Sequence, residues 1–340
     1  MALEKSVLTF DAIKVLINKH YGIVITDVRK MRLGSANCFK LFDGTNHYFL
    51  KEFQSSFSHE AVSREAEIVE HLSKKGIPTA RFYKTVNGEY SFTHNSHTVS
   101  LEEFIEGTSY GYNDLPEHLL PKVASMLGKM HFCLRDYILP GGMDMQWCEE
   151  YSSDKLISQY GELLAVVGND RNAERIIADL EYKKGLAERI NEYKKYFEGI
   201  TYVASHGDYQ GCQLIFDGNE IKAVIDFSSA RTLPAVWEIM RSFTQTSQKC
   251  RGSATVDVTD FRAYVVEYMK HSSLTRKDLP AMPYVYLFQL ARSRFGYTQY
   301  LKSDSEDREG LLKFAFWRTD ICRELEKKAD DISAALATLI

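Results

Sequence analysis

One stretch constrains this chain more than any other. It runs Ser205-His206-Gly207-Asp208-Tyr209-Gln210-Gly211-Cys212-Gln213-Leu214-Ile215-Phe216 and continues at Val224-Ile225-Asp226-Phe227. Asp217-Gly218-Asn219 supplies turn chemistry between two apolar runs, Leu214 to Phe216 and Ile221 to Ile225, so the spacing predicts a hairpin. Such a hairpin folds Asp226 back beside Asp208 and Gln213, and three oxygen-bearing side chains are expected to converge. Phosphoryl transfer uses that set: a group that accepts the proton of an attacking hydroxyl, and oxygen ligands that hold Mg²⁺ against nucleotide phosphates. Asp208 fits the first role, Gln213 and Asp226 the second. A lone His-Gly-Asp is better explained as an ordinary loop with solvated aspartates. The pattern here is narrower, because an amide follows Asp208 by five residues and the hairpin ends in apolar-apolar-Asp-Phe.

The segment resembles the phosphotransferase family of aminoglycoside phosphotransferases, choline kinases and related small-molecule kinases. The usual family pattern is His-Gly-Asp, four further residues, Asn, and later Ile-Asp-Phe or Ile-Asp-Trp. Gln213 stands here in place of the Asn. Gln keeps the amide oxygen on an arm one methylene longer, and maltokinase-like members resemble this chain in that exchange. The resemblance implies an α+β class and a bilobal protein-kinase-like fold. Residues 1–106 would form a nucleotide-binding lobe of antiparallel sheet plus helix. Residues 107–340 would form a mainly helical lobe for catalysis and substrate binding. ATP or GTP and Mg²⁺ are the implied cofactors, and a small hydroxyl compound is the implied partner.

Composition agrees with a soluble globular chain. Its 340 residues suffice for two lobes, each with a core. A net charge of -4 offers no basic stripe for nucleic acid. No apolar run reaches the ~18 residues of a membrane span, and Met1-Ala2-Leu3-Glu4-Lys5 lacks the apolar core of a signal peptide. Cys38, Cys133, Cys148, Cys212, Cys250 and Cys322 are scattered without a Cys-x-x-Cys, which fits reduced thiols in the cytoplasm. Oligomeric state is not legible.

Thr9 can cap a first helix whose inner face is Phe10, Ile13, Leu16 and Ile17, with Gly22 ending it. Val24, Thr26 and Val28 then alternate as a strand, and Cys38–Phe42 and His47–Phe53 flank a turn at Asp43-Gly44. In the loop Leu33-Gly34-Ser35-Ala36-Asn37-Cys38, the small residues Gly34 and Ser35 would let main-chain N–H groups approach phosphate oxygens; an ordinary hairpin connection would look the same. Lys51 sits in the strand Tyr48–Phe53. In kinase-like folds this lysine holds nucleotide phosphates and pairs with a glutamate of the next helix. That helix is expected over 58–75, closed by Gly76, with Glu65 as the partner and Glu60 or Glu67 as alternatives or mere surface charges. Asn87-Gly88 predicts a second hairpin between Phe82–Val86 and Tyr90–Thr93. The strand from Thr98 to Ile105 resembles the family's inter-lobe hinge, where main-chain groups of Glu103 to Ile105 would bond an adenine; an ordinary strand end is the alternative.

Past Gly107 the pattern turns helical apart from the catalytic hairpin. His131, in the helix 119–134, reads as a packing or capping residue. Glu174 to Phe197 reads as one solvated helix that could wall the substrate cleft. Tyr284, Tyr286, Phe288 and Tyr297 read mainly as core, and the tail from Asp307 as amphipathic. After Asp226 the chain reaches Pro234-Ala235-Val236-Trp237-Glu238 within a few residues. That leaves no room for the activation segment with which protein kinases dock peptides, and a small-molecule acceptor is favoured. Trp237-Glu238 resembles the family's Asp-Leu pair at the next helix start, a structural element.

Relatives act on aminoglycosides, choline or ethanolamine, homoserine, methylthioribose and sugars. A cationic acceptor would want an acidic cleft, for which Asp154, Glu162, Asp257, Asp260 and Glu267 are available. A second reading keeps the fold without catalysis, as a binding or assembly protein like the family's spore-coat relatives. Gln213 and the glycine-poor loop motivate it, and the trio Lys51, Asp208 and Asp226 opposes it.

Overall fold

Helix α1 (Phe10–Tyr21) starts where Thr9 accepts a hydrogen bond from the Ala12 amide, 3.2 Å, and stops at Gly22 with φ of 70°. Ile13 and Ile17 are buried as their spacing requires, but Phe10 is 51% exposed, so the inner face is narrower than expected. The computed structural model describes residues 4–31, 36–139, 152–303 and 307–340. Gly34, Ser35 and Cys148 lie outside them. The chain divides into a first unit of Leu3–Ser109 with Gln213–Ala230, and a second of Tyr110–Cys212 with Arg231–Ile340.

In the first unit, β1 (Asp27–Met31), β2 (Asn37–Phe42), β3 (His47–Glu52), β4 (Ser91–His94) and β5 (His97–Glu103) form an antiparallel sheet in the order β1-β2-β3-β5-β4. Val24 is exposed and the first strand begins only at Asp27. Asp43 shapes the β2–β3 turn by accepting from the Thr45 and Asn46 amides. Phe39, Leu41, Tyr48, Leu50, Val99 and Leu101 pack with Ile13 and Ile17 of α1 in one apolar cluster. Alternation sends Lys51 and its cross-strand partner Ser100 to the other face. Ser58 caps α2 (His59–Lys74).

The Asn87-Gly88 turn forms, with Gly88 at φ of 86° and the Gly88 amide on the Thr85 carbonyl. It does not join two paired strands, however. The Tyr83 amide bonds Leu101 and the Glu103 amide bonds Arg81, which ties the 81–83 segment to the end of β5. The true hairpin is β4–β5, turned at Asn95 and Ser96 with φ of 47° and 66°, a left-handed pair without glycine. The hairpin after the catalytic loop is β8 (Leu214–Asp217) and β9 (Glu220–Val224), extended by β6 (Thr108–Ser109) into the order β6-β8-β9.

In the second unit, β7 (Tyr202–Ser205) pairs with β10 (Arg231–Pro234), Arg231 opposite Ser205. Helices α3 (Leu120–Leu134) and α6 (Ala235–Thr246) pack on this ladder, and α4 (Ser153–Leu164), α5 (Ala173–Glu188), α7 (Val258–Met269), α8 (Asp278–Arg292) and α9 (Arg308–Ala337) complete the unit. The expected single helix over 174–197 ends at Glu188. It is not merely solvated either. Asp179 and Lys183 are buried; Asp179 accepts from Tyr297, 2.7 Å, and Lys183 donates to the Leu290 and Ser293 carbonyls. No helix among the described residues is long and apolar enough to cross a membrane.

Candidate active site

Lys51 is 8% exposed. Its ammonium lies 3.2 Å from Glu102, 3.5 Å from Glu65 and 4.0 Å from Asp226. Helical spacing explains Glu65, which shares the inward face of α2 with Val62, Ala66, Val69 and Leu72, while Glu60 and Glu67 are exposed. Glu102 stands on the Lys51 face of β5 and accepts from the Ser100 hydroxyl, 3.3 Å. Burial drives the Lys51 ammonium toward neutrality, but Glu102, Glu65 and Asp226 outweigh it and hold the pKa well above the usual lysine value. Burial pushes the Glu65 carboxyl up to about 8 against the pull of Lys51, and Glu102 and Asp226 add to the rise. Burial raises Glu102 as well, so crowding and desolvation set the Lys51 pocket to hold protons on its acids until a further cation draws them off.

Asp226 has left-handed backbone, φ 64° and ψ 66°, a region uncommon outside glycine but one that Asn and Asp adopt more readily than other residues. Ser228 donates to its carboxylate at 2.8 Å. The Ile225 amide bonds the Gln213 carbonyl, 3.0 Å, so the hairpin sets Gln213 against the residue before Asp226. No cluster of three or more His, Cys, Asp or Glu with metal-holding arrangement occurs among the described residues. Mg²⁺ does not need one, since it takes one or two carboxylates, waters and substrate phosphates. The donor types on Asp226 and Gln213, a carboxylate and an amide oxygen, suit that hard ion. At the expected hinge, the Glu103 amide is spent on the Arg81 carbonyl, 2.8 Å, whereas Ile105 lies beyond the end of β5.

In the second unit, the loop after β7 carries Asp208. Gly207 has φ of 81°, so the reversal before Asp208 favours a residue without Cβ. A buried carboxylate pins the loop from beneath. Glu238, in the first turn of α6, accepts from the Gly207 amide at 2.6 Å, the His206 amide at 3.2 Å and His131 Nε2 at 2.8 Å, while His131 Nδ1 meets the Tyr268 hydroxyl at 2.8 Å. Burial alone would raise the Glu238 carboxyl, but the His131 bond and charge, His206 and the Gly207 amide outweigh it, and its pKa lies below the usual carboxylate value. His206 is buried and its Nδ1 accepts from the Asp208 amide, 3.2 Å. The Asp208 carboxylate accepts from Gln210 Nε2, 3.2 Å, and pairs with Arg241.

Asp208 opens on a cavity of about 770 Å³ in the same unit. Arg231, Arg241, Arg251, Arg292, Lys313 and Arg318 line it; Asp208 and Asp307 are the acids that line it among the described residues. Asp307 also caps α9, accepting from the Gly310 amide. The five acids expected for an acidic cleft do not line this cavity. Asp257 caps α7, Glu162, Asp260 and Glu267 pair with Lys302, Lys249 and Lys270, and Asp154 is exposed in the first turn of α4. Rings support the cations: Arg251 lies 4.0 Å from the Trp317 centroid and 5.0 Å from Tyr112, and Arg318 lies 5.6 Å from Phe314. Tyr286 of the aromatic set reaches the cavity, whereas Tyr284 stacks on Tyr196, 4.0 Å between centroids.

A family model for the phosphotransferase enzyme family matches residues 28–264. The chain belongs to this family. It is a small-molecule kinase in class, with the mixed α+β fold of that group. A solved spectinomycin phosphotransferase, in complex with ADP and spectinomycin, is similar at 14% identity and a TM-score of 0.67, covering 95% of this chain and all of the other at 100%. An amicoumacin kinase with AMP-PNP and Ca²⁺ gives 14% and 0.63 over 93% of this chain and 94% of that one. An ethanolamine kinase of Plasmodium vivax gives 16% and 0.60 over 94% and 91%. At such identities these likenesses establish the fold. No curated protein matches the sequence.

Two parts of the site escaped local sequence reading. Glu102, adjacent to Glu103 at a strand end, looks like one of two solvated acids; only the register against β3 turns it toward Lys51. Apart from Arg231 on β10, the arginines of the cavity come from separate helices. Arg241 follows Trp237 by one turn of α6, and Arg318 follows Phe314 by one turn of α9, so an Arg one turn after an aromatic was the available signal.

Proposed function

We propose that the protein transfers the γ-phosphoryl group of ATP to a hydroxyl of a small molecule. The observation that carries this reading is the buried Lys51 held by Glu65 and Glu102 and facing Asp226. Desolvating a lysine among carboxylates costs several kcal/mol unless a further ligand uses the charges, and a nucleotide triphosphate with its metal is such a ligand. Lys51 would bind phosphate oxygens, Glu65 and Glu102 would orient Lys51, and Gly34 and Ser35 would cover the phosphates with main-chain N–H groups. Main-chain groups of Ile105, with Glu103, would hold the base; GTP is the alternative donor. Asp226 and Gln213 would hold Mg²⁺, whose charge offsets that of the phosphates. Asp208 takes the proton of the acceptor hydroxyl as that oxygen bonds to the γ-phosphorus and the bond to ADP breaks. Glu238 and His206 keep Asp208 in place and do not react.

The test is ADP release from Mg·ATP over a panel of aminoglycosides, amino alcohols, sugars and their phosphates, beside Lys51→Met and Asp226→Ala. Acceptor-dependent release that either substitution cuts ~10²-fold or more supports the reading. Release indifferent to both removes it. A melting temperature that Mg·ATP leaves unmoved, with no turnover of any acceptor, also removes it.

A further inference from the structure

The electrostatics of the Asp208 cavity point to the kind of acceptor. Arg318 is 7% exposed, lines the cavity, and its Nε has no hydrogen-bond acceptor. No carboxylate pairs with it among the described residues; its neighbours are the Phe314 ring, Tyr286 and the like charge of Arg241. Among the described residues Arg251 has neutral acceptors and no carboxylate: the Tyr112 carbonyl at 3.2 Å, Asn113 Oδ1 at 3.3 Å and Gln245 Oε1 at 3.4 Å. Arg241 has one carboxylate, Asp208, and its Nη1 is buried without a partner. Aromatic rings steady guanidinium groups but do not cancel their charge.

A guanidinium taken out of water without a carboxylate partner, as Arg318 is when buried and Arg251 when half-buried, is costly to keep. Two of them beside a third that must be shared describe a receptor for an anion. Arginine rather than lysine suits this task, because its planar fork donates two parallel bonds to an oxyanion. Two uncompensated positive charges match a phosphomonoester, which carries about -1.5 to -2 at pH 7. Gln289 Oε1, buried in the same cavity without a donor, offers an acceptor for a hydroxyl of the same ligand.

We infer that the acceptor is a hydroxyl compound that already bears a phosphate group, a sugar or polyol phosphate, held by Arg318, Arg251 and Arg241 with its free hydroxyl at Asp208. This rests on the phosphotransferase reading above. It argues against aminoglycoside or choline-type acceptors, whose cationic groups would face six basic side chains.

Two measurements separate the inference from that reading. The first is calorimetric titration with inorganic phosphate and with glycerol 3-phosphate, on the wild type, Arg318→Met and Arg251→Gln. Each lost charged hydrogen bond is expected to weaken binding roughly tenfold or more. Because Arg318 lacks a counter-charge, Arg318→Met is expected to melt no lower than the wild type without ligand. A lower melting point with phosphate affinity unchanged would make Arg318 a packing residue and overturn the assignment. The second is ADP release with sugar phosphates, neutral sugars, dicarboxylates such as malate, kanamycin and choline. Turnover confined to phosphomonoesters is expected. Preference for choline, kanamycin or malate would overturn the inference and leave the kinase reading standing. Arginine-dependent phosphate binding without turnover of any acceptor or binding of Mg·ATP would keep the anion site and remove the kinase reading.

Discussion

Glu238→Gln tests how the catalytic loop is held. Oε1 of Glu238 serves the Gly207 amide, and Oε2 serves both the His206 amide and His131. A glutamine of nearly the same shape has one acceptor oxygen. Placed to satisfy His206 and His131, its NH₂ group confronts the Gly207 N–H donor to donor; reversed, it confronts the other two. At least one buried amide is orphaned and the remaining bonds lose their charge assistance, a loss of about 2–4 kcal/mol. For a unit of this size that lowers the melting temperature by roughly 5–12 °C. Displacement of Asp208 by a fraction of an ångström is expected to lower turnover ~10–100-fold. The pH dependence has a definite sign. The folded Glu238 pKa lies below its unfolded value of about 4.3, so its contribution is present above that value and disappears as pH falls through the folded pKa. Melting curves by circular dichroism from pH 7 to pH 3 are therefore expected to show a gap between wild type and variant at pH 7 that closes in acid. Equal melting temperatures at pH 7, or a gap that persists unchanged to pH 3, would refute the reasoning.

Glu65 has the opposite sign. Its folded pKa of about 8 lies above the unfolded value, so stability is expected to fall as pH rises from the carboxylate range toward 8. Glu65→Gln should flatten that slope and melt higher than the wild type at pH 8.5, while weakening the Mg·ATP-induced rise in melting temperature. Gly207→Ala places a side chain on backbone with φ of 81°; denaturant titration should record a loss of about 1–2 kcal/mol. Restoring Cβ there should also reduce turnover more than it raises the KM for the acceptor, since the loop carries Asp208 rather than the binding arginines.

What was legible in the chain was what local periodicity controls. Lys51 and Glu65 were named through the family resemblance; strand alternation then accounts for Lys51 facing away from the α1 core, and the 3.6-residue helical period for Glu65 facing inward on α2. The turn of Asp217-Gly218 produced the β8–β9 hairpin. Failures came where main-chain partners compete. Asn87-Gly88 forms its turn, yet Tyr83 and Arg81 are bonded to β5, so the hairpin closes at Asn95 and Ser96 instead. Tertiary assembly hid the rest. Arg241, Arg251 and Arg318 meet at one cavity only through the packing of separate helices, and four of the five acids that looked available for a cleft are taken up in a cap or surface pairs while Asp154 is exposed. Glu238 looked structural in sequence, and its bonds to Gly207 and His206 give that role a specific content.

The central claim is that Lys51 and Asp226 serve the nucleotide while Asp208 serves the acceptor hydroxyl. Asp208→Asn separates these roles in one protein. Single-turnover transfer from Mg·ATP to the preferred acceptor is expected to slow by ~10²–10⁴, with Mg·ATP affinity by calorimetry held within about twofold of the wild type. Transfer at the wild-type rate in Asp208→Asn, or loss of nucleotide binding in step with activity, would contradict it.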